Sequence, residues 1–425
     1  MHVRSESEIE PHEKLMRKAR RHRRIVFVNR YFDPDQSATS QMLTDLARGL
    51  AATGFEVHVV CSRQLYDDAG ARLAACETRF GVQIHRIATT RFGRYRLAGR
   101  AIDYASFYVS CAVKLVMLLR NGDVLVAKTD PPLLSILAAP IVKAKRVALI
   151  NWQQDVFPEI ASELGPLRLP LGLDGCLGRL RDASLRTASM NVAIGGRMQE
   201  YLATRGIPES KLCVIENWAD ADAIRPRSTS ASALRARLDI ADRFVVAYSG
   251  NLGRAHDFET LLNAASALSD DARYVFLIIG GGSNTESLRQ GVAVRKLNSF
   301  RFLPYQPRET LEDSLAAADV HFVSLLPALE GLIVPSKLYG ILAAGRALIF
   351  LGDRDGEIAR VIRRADCGSV VEVGDAGALV QTLRSMSADP EKLSRSGMRA
   401  RNLLCEEYSL QHALGRWIAL LDATG

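Results

Sequence analysis

Short apolar runs rich in β-branched residues alternate with segments of helical period along nearly the whole chain. That alternation narrows the fold sharply, because neighbouring parallel strands can be joined only through a crossover of about a dozen residues or more, usually a helix. In the first half, strands are expected at Ile25–Asn29, Phe55–Cys61, Val82–Ala88, Asp123–Ala127, Val147–Trp152, Met190–Ile194 and Lys211–Ile215. Between the first two, Ala38, Met42, Leu43, Leu46 and Leu50 share one helical face, which completes one strand-helix-strand unit.

Around Glu216–Ser232 the pattern breaks into a polar, proline- and serine-bearing connector. A second series follows, with strands expected at Phe244–Ser249, Tyr274–Ile279, Phe300–Leu303, Val320–Leu325, Ala347–Leu351 and Ser369–Glu372. The last helical segment, Leu410–Leu421, carries Trp417 and is expected to cross back to the first half. At 425 residues, 48% hydrophobic and 24% charged, the chain is globular and too long for one ordinary core. The expected division is a basic extension over 1–24, a doubly wound α/β domain over 25–218 joined by the C-terminal helix 408–425, and a second such domain over 219–407. Two doubly wound sheets turn the C-terminal ends of their strands toward a shared crevice, so function is expected in the loops there.

The formal net charge of +8 is local. Lys14, Arg17, Lys18, Arg20, Arg21, Arg23 and Arg24 form one basic patch, and Arg91, Arg94, Arg96 and Arg100 a second. Such patches suit an anionic surface; the plainer reading is a solvated tail and a charged loop. Between Ala101 and Leu119 an apolar segment is interrupted among charged residues only by Asp103 and Lys114, which fits either a core helix or one lying in a membrane interface. Seven scattered cysteines without metal-ligand spacing, and an N-terminus without a secretory pattern, lead to the expectation of a reduced, cytoplasmic setting.

Two glycine-bearing turns follow strands of the second half, Ser249-Gly250-Asn251-Leu252-Gly253-Arg254-Ala255-His256 and Gly280-Gly281-Gly282-Ser283. Glycines there let backbone N–H groups approach a phosphate, although a tight turn requiring positive φ uses the same residues. A third segment, Glu330 to Arg346, holds a carboxylate and Lys337 in a loop with Pro335 and runs into a helix ending at Gly345. Aspartate pairs one residue apart occur at Asp33 and Asp35, Asp220 and Asp222, and Asp353 and Asp355, but they fall in loops where aspartates are common, and no metal site is expected.

In the Glu330–Arg346 segment the chain resembles the retaining GT-B glycosyltransferases of family 4, and within them the bacterial exopolysaccharide, O-antigen and colanic-acid-type transferases with a Pro-Ser-Lys-x-Tyr variant, here Pro335-Ser336-Lys337-Leu338-Tyr339. Tyr31-Phe32-Asp33-Pro34-Asp35, Gly54-Phe55-Glu56-Val57, Trp152-Gln153-Gln154-Asp155 and Glu216-Asn217-Trp218-Ala219-Asp220 resemble further motifs of the family in the same order, from about Arg24 to the C-terminus. The sequence departs from the family at three points. Gly340 stands where the second glutamate of its Glu-x7-Glu would fall, Leu332 where the first would fall, and Asn251 and His256 where the phosphate loop carries Arg and Lys.

The resemblance implies a GT-B enzyme that moves a sugar from a nucleotide-diphosphate sugar, with retention, to a polyprenyl-diphosphate-linked saccharide at the inner face of the plasma membrane. It implies catalytic roles for Glu330, Lys337, Asp155 and Arg254, and donor contacts from Gly250, Asn251, Gly253, His256, Gly281, Pro335, Ser336 and Tyr339. Acceptor contacts would come from Asp35, Gln36 and Ser37. No metal, no cofactor beyond the donor and no nucleic-acid partner is expected. A helix cap is an alternative role for Asp155. A nicotinamide enzyme is disfavoured because Asn29–Thr39 contains no glycine. A sugar-nucleotide epimerase, or a non-catalytic membrane-associated partner of a polysaccharide assembly complex, remains as an alternative reading of the same motifs.

Overall fold

The computed structural model describes residues 23–66, 68, 70–92, 97–165 and 172–424. Its first half is built on β1 (Arg24–Val28), β2 (Glu56–Ser62), β3 (Cys76–Arg79), β4 (Val82–Ile87), β5 (Val124–Lys128), β6 (Ala148–Gln153), β7 (Met190–Ala193) and β8 (Leu212–Val214). Its second half is built on β9 (Phe244–Ser249), β10 (Tyr274–Ile279), β11 (Phe300–Leu303), β12 (Val320–Ser324), β13 (Ala347–Leu351) and β14 (Gly368–Val371). The sheet orders are β3-β4-β2-β1-β5-β6-β7-β8 and β11-β10-β9-β12-β13-β14. Among the parallel strands of each sheet the order reverses once, between β1 and β5 and between β9 and β12, and those reversals open the crevices where ligands of such sheets bind.

The central strands explain the apolar runs. β1 and β5 are buried along their whole length, with Phe27 level with Val59 and Val126, because helices cover both faces of the sheet. β3 is the exception to the parallel rule. It pairs antiparallel with β4, Cys76 opposite His85, and its Cys-Glu-Thr-Arg sequence alternates exposed with half-buried positions, leaving no apolar run to announce it.

The chain crosses between halves twice, side by side. Ala219 forms a bridge with Ser409, its N–H donating to the Tyr408 carbonyl at 3.2 Å and its carbonyl accepting from Leu410. The helix Leu410–Ala423 then packs on the helix Ala38–Ala52 of the first half. Beside the crossing, Trp152, Trp218 and Trp417 are fully buried as a cluster, with ring centres 5.8 Å apart for the first two and 4.9 Å for Trp152 and Trp417.

Most of the first basic patch, with Arg94 and Arg96, lies outside the described residues. Arg24 does not belong to a solvated patch: it is buried in β1 and pairs with Asp123 at 3.2 Å and Glu56 at 3.2 Å. The helix Leu97–Leu118 is a core helix along one stripe and exposes apolar residues along another. Asp103, Phe107, Cys111 and Leu115 bury one stripe, the three apolar ones in a core with β1 and β5, while Ile102, Val109, Val113, Val116 and Met117 are exposed, Met117 by 78%. Its length and composition suffice to cross a membrane, yet the buried stripe ties it to the domain.

Candidate active site

At the crevice of the second sheet, the two glycine turns interlock. The Gly250 N–H donates to the Ile279 carbonyl and the Leu252 N–H to the Gly281 carbonyl, both at 2.9 Å. Gly280 has φ +127°, and a Cβ on it would lie 2.1 Å from the Gly250 carbonyl oxygen, so only glycine fits. These contacts bear out the tight-turn reading: the Gly250 and Leu252 N–H groups are used in holding the two turns together. Asn284 secures the far end of the first turn by donating to the Gly253 carbonyl at 3.1 Å.

Lys337 lies against this loop. It begins the helix Lys337–Ala343 beside β12, and its Cε stands 3.3 Å from where a Cβ of Gly250 would be. Its Nζ donates to the Tyr248 hydroxyl and lies 3.4 Å from His256 Nε2. Among the described residues no carboxylate reaches it at ion-pair distance, and burial holds its ammonium well below the usual lysine range. Burial, together with the Lys337 charge, also pulls His256 down to about 3, so its imidazole is neutral at physiological pH. Its Nδ1–H donates to the Ser324 carbonyl, which leaves the Nε2 lone pair facing Lys337. A neutral acceptor and an aromatic ring thus hold a cation that has no counter-ion among the described residues.

Glu330 precedes Lys337 on the segment after β12, where its carboxylate accepts from the Glu357 N–H at 3.1 Å at the start of the helix Glu357–Ala365. Burial pushes it up to about 7. Glu357 in turn accepts from the Arg197 N–H of the first half at 2.8 Å. Asp155 reaches this loop from the other side. It forms a backbone bridge with Ile333, and the next N–H, from Val156, donates to Leu332 at 2.9 Å. The helix Glu159–Leu164 has no side-chain cap, so capping is not the role of Asp155. Its side chain keeps exposed surface inside the cleft while the surrounding protein still pushes its carboxyl up to about 6.

The remaining expected residues divide. Asn251 and Gly253 are in the loop, and Gly281 supplies it with a carbonyl. Arg254 donates to the Leu164 carbonyl of the first half at 3.4 Å. Pro335 is buried and Ser336 exposed at the helix start, whereas Tyr339 is buried edge-on to Tyr408 at 5.5 Å, making it a packing residue under the site. Asp35 is also buried, and its carboxylate is occupied by the Ser37 N–H and hydroxyl and by the Tyr66 N–H; it shapes the loop before the helix Ala38–Ala52, leaving Gln36 as the exposed member of the three. Asp220 and Asp353 each close their own turn by accepting from Asp222 and Asp355 N–H groups.

Three site residues escaped sequence reasoning. Tyr248 ends an apolar strand and reads as core. Lys128 and Asp130 sit where β5 ends at the crevice of the first sheet, and Lys128 is buried. A charge at the C-terminal end of a buried strand was the available signal.

The fold as a whole matches solved structures of this architecture. Sucrose-phosphate synthase from Thermosynechococcus elongatus superposes with a TM-score of 0.73 over 95% of this chain and 100% of that one, at 16% identity. HepE from Anabaena, solved with UDP-glucose, gives 0.71 over 95% and 100%, at 14% identity. Residues 37–218 match the family model described as Glycosyl transferase 4-like domain, and residues 231–403 the one described as Glycosyl transferases group 1. The chain is a GT-B glycosyltransferase. Among curated proteins, this glycosyltransferase is 26% identical to the probable glycosyltransferase WbjE of Pseudomonas aeruginosa over 333 residues, 77% of this chain and 82% of that protein. It is 26% identical over 209 residues, 48% of this chain and 51% of the relative, to the putative colanic acid biosynthesis glycosyl transferase WcaI of Escherichia coli.

Proposed function

We propose that this enzyme transfers a sugar from a nucleotide-diphosphate sugar, with retention, to a lipid-linked saccharide in the assembly of a cell-surface polysaccharide. The observation that carries the donor is Lys337. A half-buried ammonium without a counter-ion among the described residues, set on a glycine loop at a sheet reversal, is complementary to a diphosphate. As the bond from the anomeric carbon to the β-phosphate oxygen breaks, its electron pair leaves with the nucleoside diphosphate, and a cation at that point stabilises the departing charge by roughly 3 kcal/mol. Asp155, the first-half carboxylate bridged to the donor loop, orients the acceptor hydroxyl. Attack from the face that the diphosphate leaves gives retention, in keeping with the family resemblance. The polysaccharide assignment draws on the WcaI relative and on the likeness to WaaG, a glycosyltransferase involved in lipopolysaccharide biosynthesis.

The same reading places the enzyme on the cytoplasmic face of a membrane. The exposed apolar stripe from Ile102 to Met117 lies near exposed Arg91, Arg100 and Arg120, as in a helix seated between headgroups and acyl chains. Two measurements test the reading. UDP, GDP, ADP and dTDP are compared for thermal stabilisation of wild type and Lys337→Ala; stabilisation of wild type alone by one of them is expected, and none from any sinks the donor assignment. Co-sedimentation with anionic liposomes, in low and high salt, is expected to retain the wild type and release Val113→Asp/Met117→Asp. Wild type left in the supernatant at low salt points to a soluble acceptor.

A further inference from the structure

A cavity of about 570 Å³ opens where β12 and β13 begin, at the opposite end of the second sheet from the glycine turns. It is no part of the donor site: the helix Lys337–Ala343 separates Lys337 from the cavity wall at Ala344 and Arg346, seven residues and roughly 10 Å along. Three segments bring a guanidinium to it. The connector supplies Arg227, the end of that helix Arg346, and the helix Pro390–Leu403 Arg401. Asp319 is the one carboxylate of the wall among the described residues, and it is already engaged by Arg235 at 2.9 Å and the Val245 N–H at 2.7 Å. Glu312, outside the wall, approaches Arg227 at 3.5 Å.

Among the described residues no carboxylate stands at ion-pair distance from Arg346 or Arg401; their partners are carbonyls. Arg401 donates to the Ala221, Ile224 and Ala343 carbonyls, each at 2.8 Å. Arg346 donates through Nη2 to the Arg227 and Ala316 carbonyls, while its Nε is buried without a partner. Carbonyls fix the direction of a guanidinium and leave its charge uncompensated, which is the state that a phosphate completes. The wall also includes Pro226, Leu393 and Met398, and its volume suits a small molecule with an apolar part. We propose that this cavity binds a small organic phosphate, with the phosphate on Arg346 and Arg401 and Arg227 contributing from the connector. The site goes beyond the sugar-transfer reading and does not depend on it. Arg401 already fastens the connector at Ala221 and Ile224, and its helix runs on to Tyr408 at the return crossing, so a bound phosphate ties together the two strands of chain that join the halves.

The test uses the full chain and phenyl phosphate at constant ionic strength, followed by titration calorimetry and by amide hydrogen exchange. Wild type is expected to bind, with exchange slowed over 226–229 and 390–402. Arg346→Gln removes the charge and is expected to weaken binding by about tenfold or more. Met398→Glu, a second variant at an exposed wall position where no arginine hydrogen bond is lost, sets an anion in the cavity and is expected to do the same, so the test stands even if Arg346→Gln does not fold. Absence of binding to wild type overturns the proposal. So does binding that survives Met398→Glu, or exchange slowed only over 250–254, which would put the phosphate on the donor loop. Vesicles containing phosphatidic acid that slow exchange over 226–229 where phenyl phosphate does not would make the ligand a lipid headgroup and overturn the soluble one.

Discussion

Lys337 places its Nζ 3.7 Å from the centre of the Tyr248 ring and donates to that same residue's hydroxyl, so one tyrosine holds the ammonium by both its face and its edge. Burial without a counter-ion makes this lysine a stability liability retained for what it does. Lys337→Met is accordingly expected to melt no lower than wild type while turnover falls by a factor on the order of 10² or more. Calorimetry and a nucleotide-release assay check both halves; wild-type turnover in the mutant removes Lys337 from the chemistry.

Gly280→Ala is expected to disrupt the nucleotide loop outright. The added methyl meets backbone, not a yielding side chain, 2.1 Å away at Gly250, and does so at φ +127°. A loss of roughly 3 kcal/mol or more in urea unfolding, with abolished nucleotide binding, is the expected result. Gly415→Ala, on the last helix with open space around its Cβ position, is the matched control and should be neutral or slightly stabilising.

Glu330 links stability to pH. Its folded pKa, about 7, exceeds the ordinary 4.5, so the protonated form is favoured by folding. That contribution is full below about 4.5 and is lost as pH rises through about 7. Glu330→Gln, uncharged throughout, should therefore gain on wild type across this window, by about 1–2 kcal/mol at its upper end after allowing for partial exposure. Denaturation curves for both proteins at intervals from pH 4.5 to 8 measure it, and parallel pH dependences would show that Glu330 is ordinary.

Contacts between the halves should differ widely in worth. Arg360 and Glu200 meet between the halves at 2.6 Å, but Glu200 is exposed and Arg360 only half-buried, and Arg360→Ala is expected to change stability by under about 1 kcal/mol. Trp417 is fully buried against Trp152, and Trp417→Ala should cost roughly 3–5 kcal/mol and free the last helix to proteolysis. Equal effects from the two substitutions would mean that the tryptophan cluster does not anchor the crossing.

The strands were legible because a buried parallel strand must be apolar along its whole length, as Ile25–Val28 and Ala347–Leu351 are. β3 was not, since Cys76–Arg79 pairs on an outer edge where nothing demands an apolar run. The Lys337 loop stood out because charge, proline and glycine share it. Tyr339, one helical turn on, could not be sorted from its neighbours by spacing: donor contact and core packing both suit a tyrosine, and the ring of Tyr408 that buries it comes from a segment far along the chain. Lys128 was invisible for a related reason. Its contacts are with Thr39 and Trp152, which only the folded sheet brings near.

The paired crossing at Ala219 and Ser409 has a consequence for how such enzymes diversify. Because the chain leaves the first half and returns to it at hydrogen-bonded neighbours, the whole second half is topologically an insert with its two ends 3.2 Å apart at the Ala219–Tyr408 bond. A cassette spanning that insert could be exchanged for another with only two adjacent splice points to match. Under the proposed function, with donor on the second half and acceptor on the first, the two choices would be separately heritable, one carried by the cassette and the other by the frame that receives it.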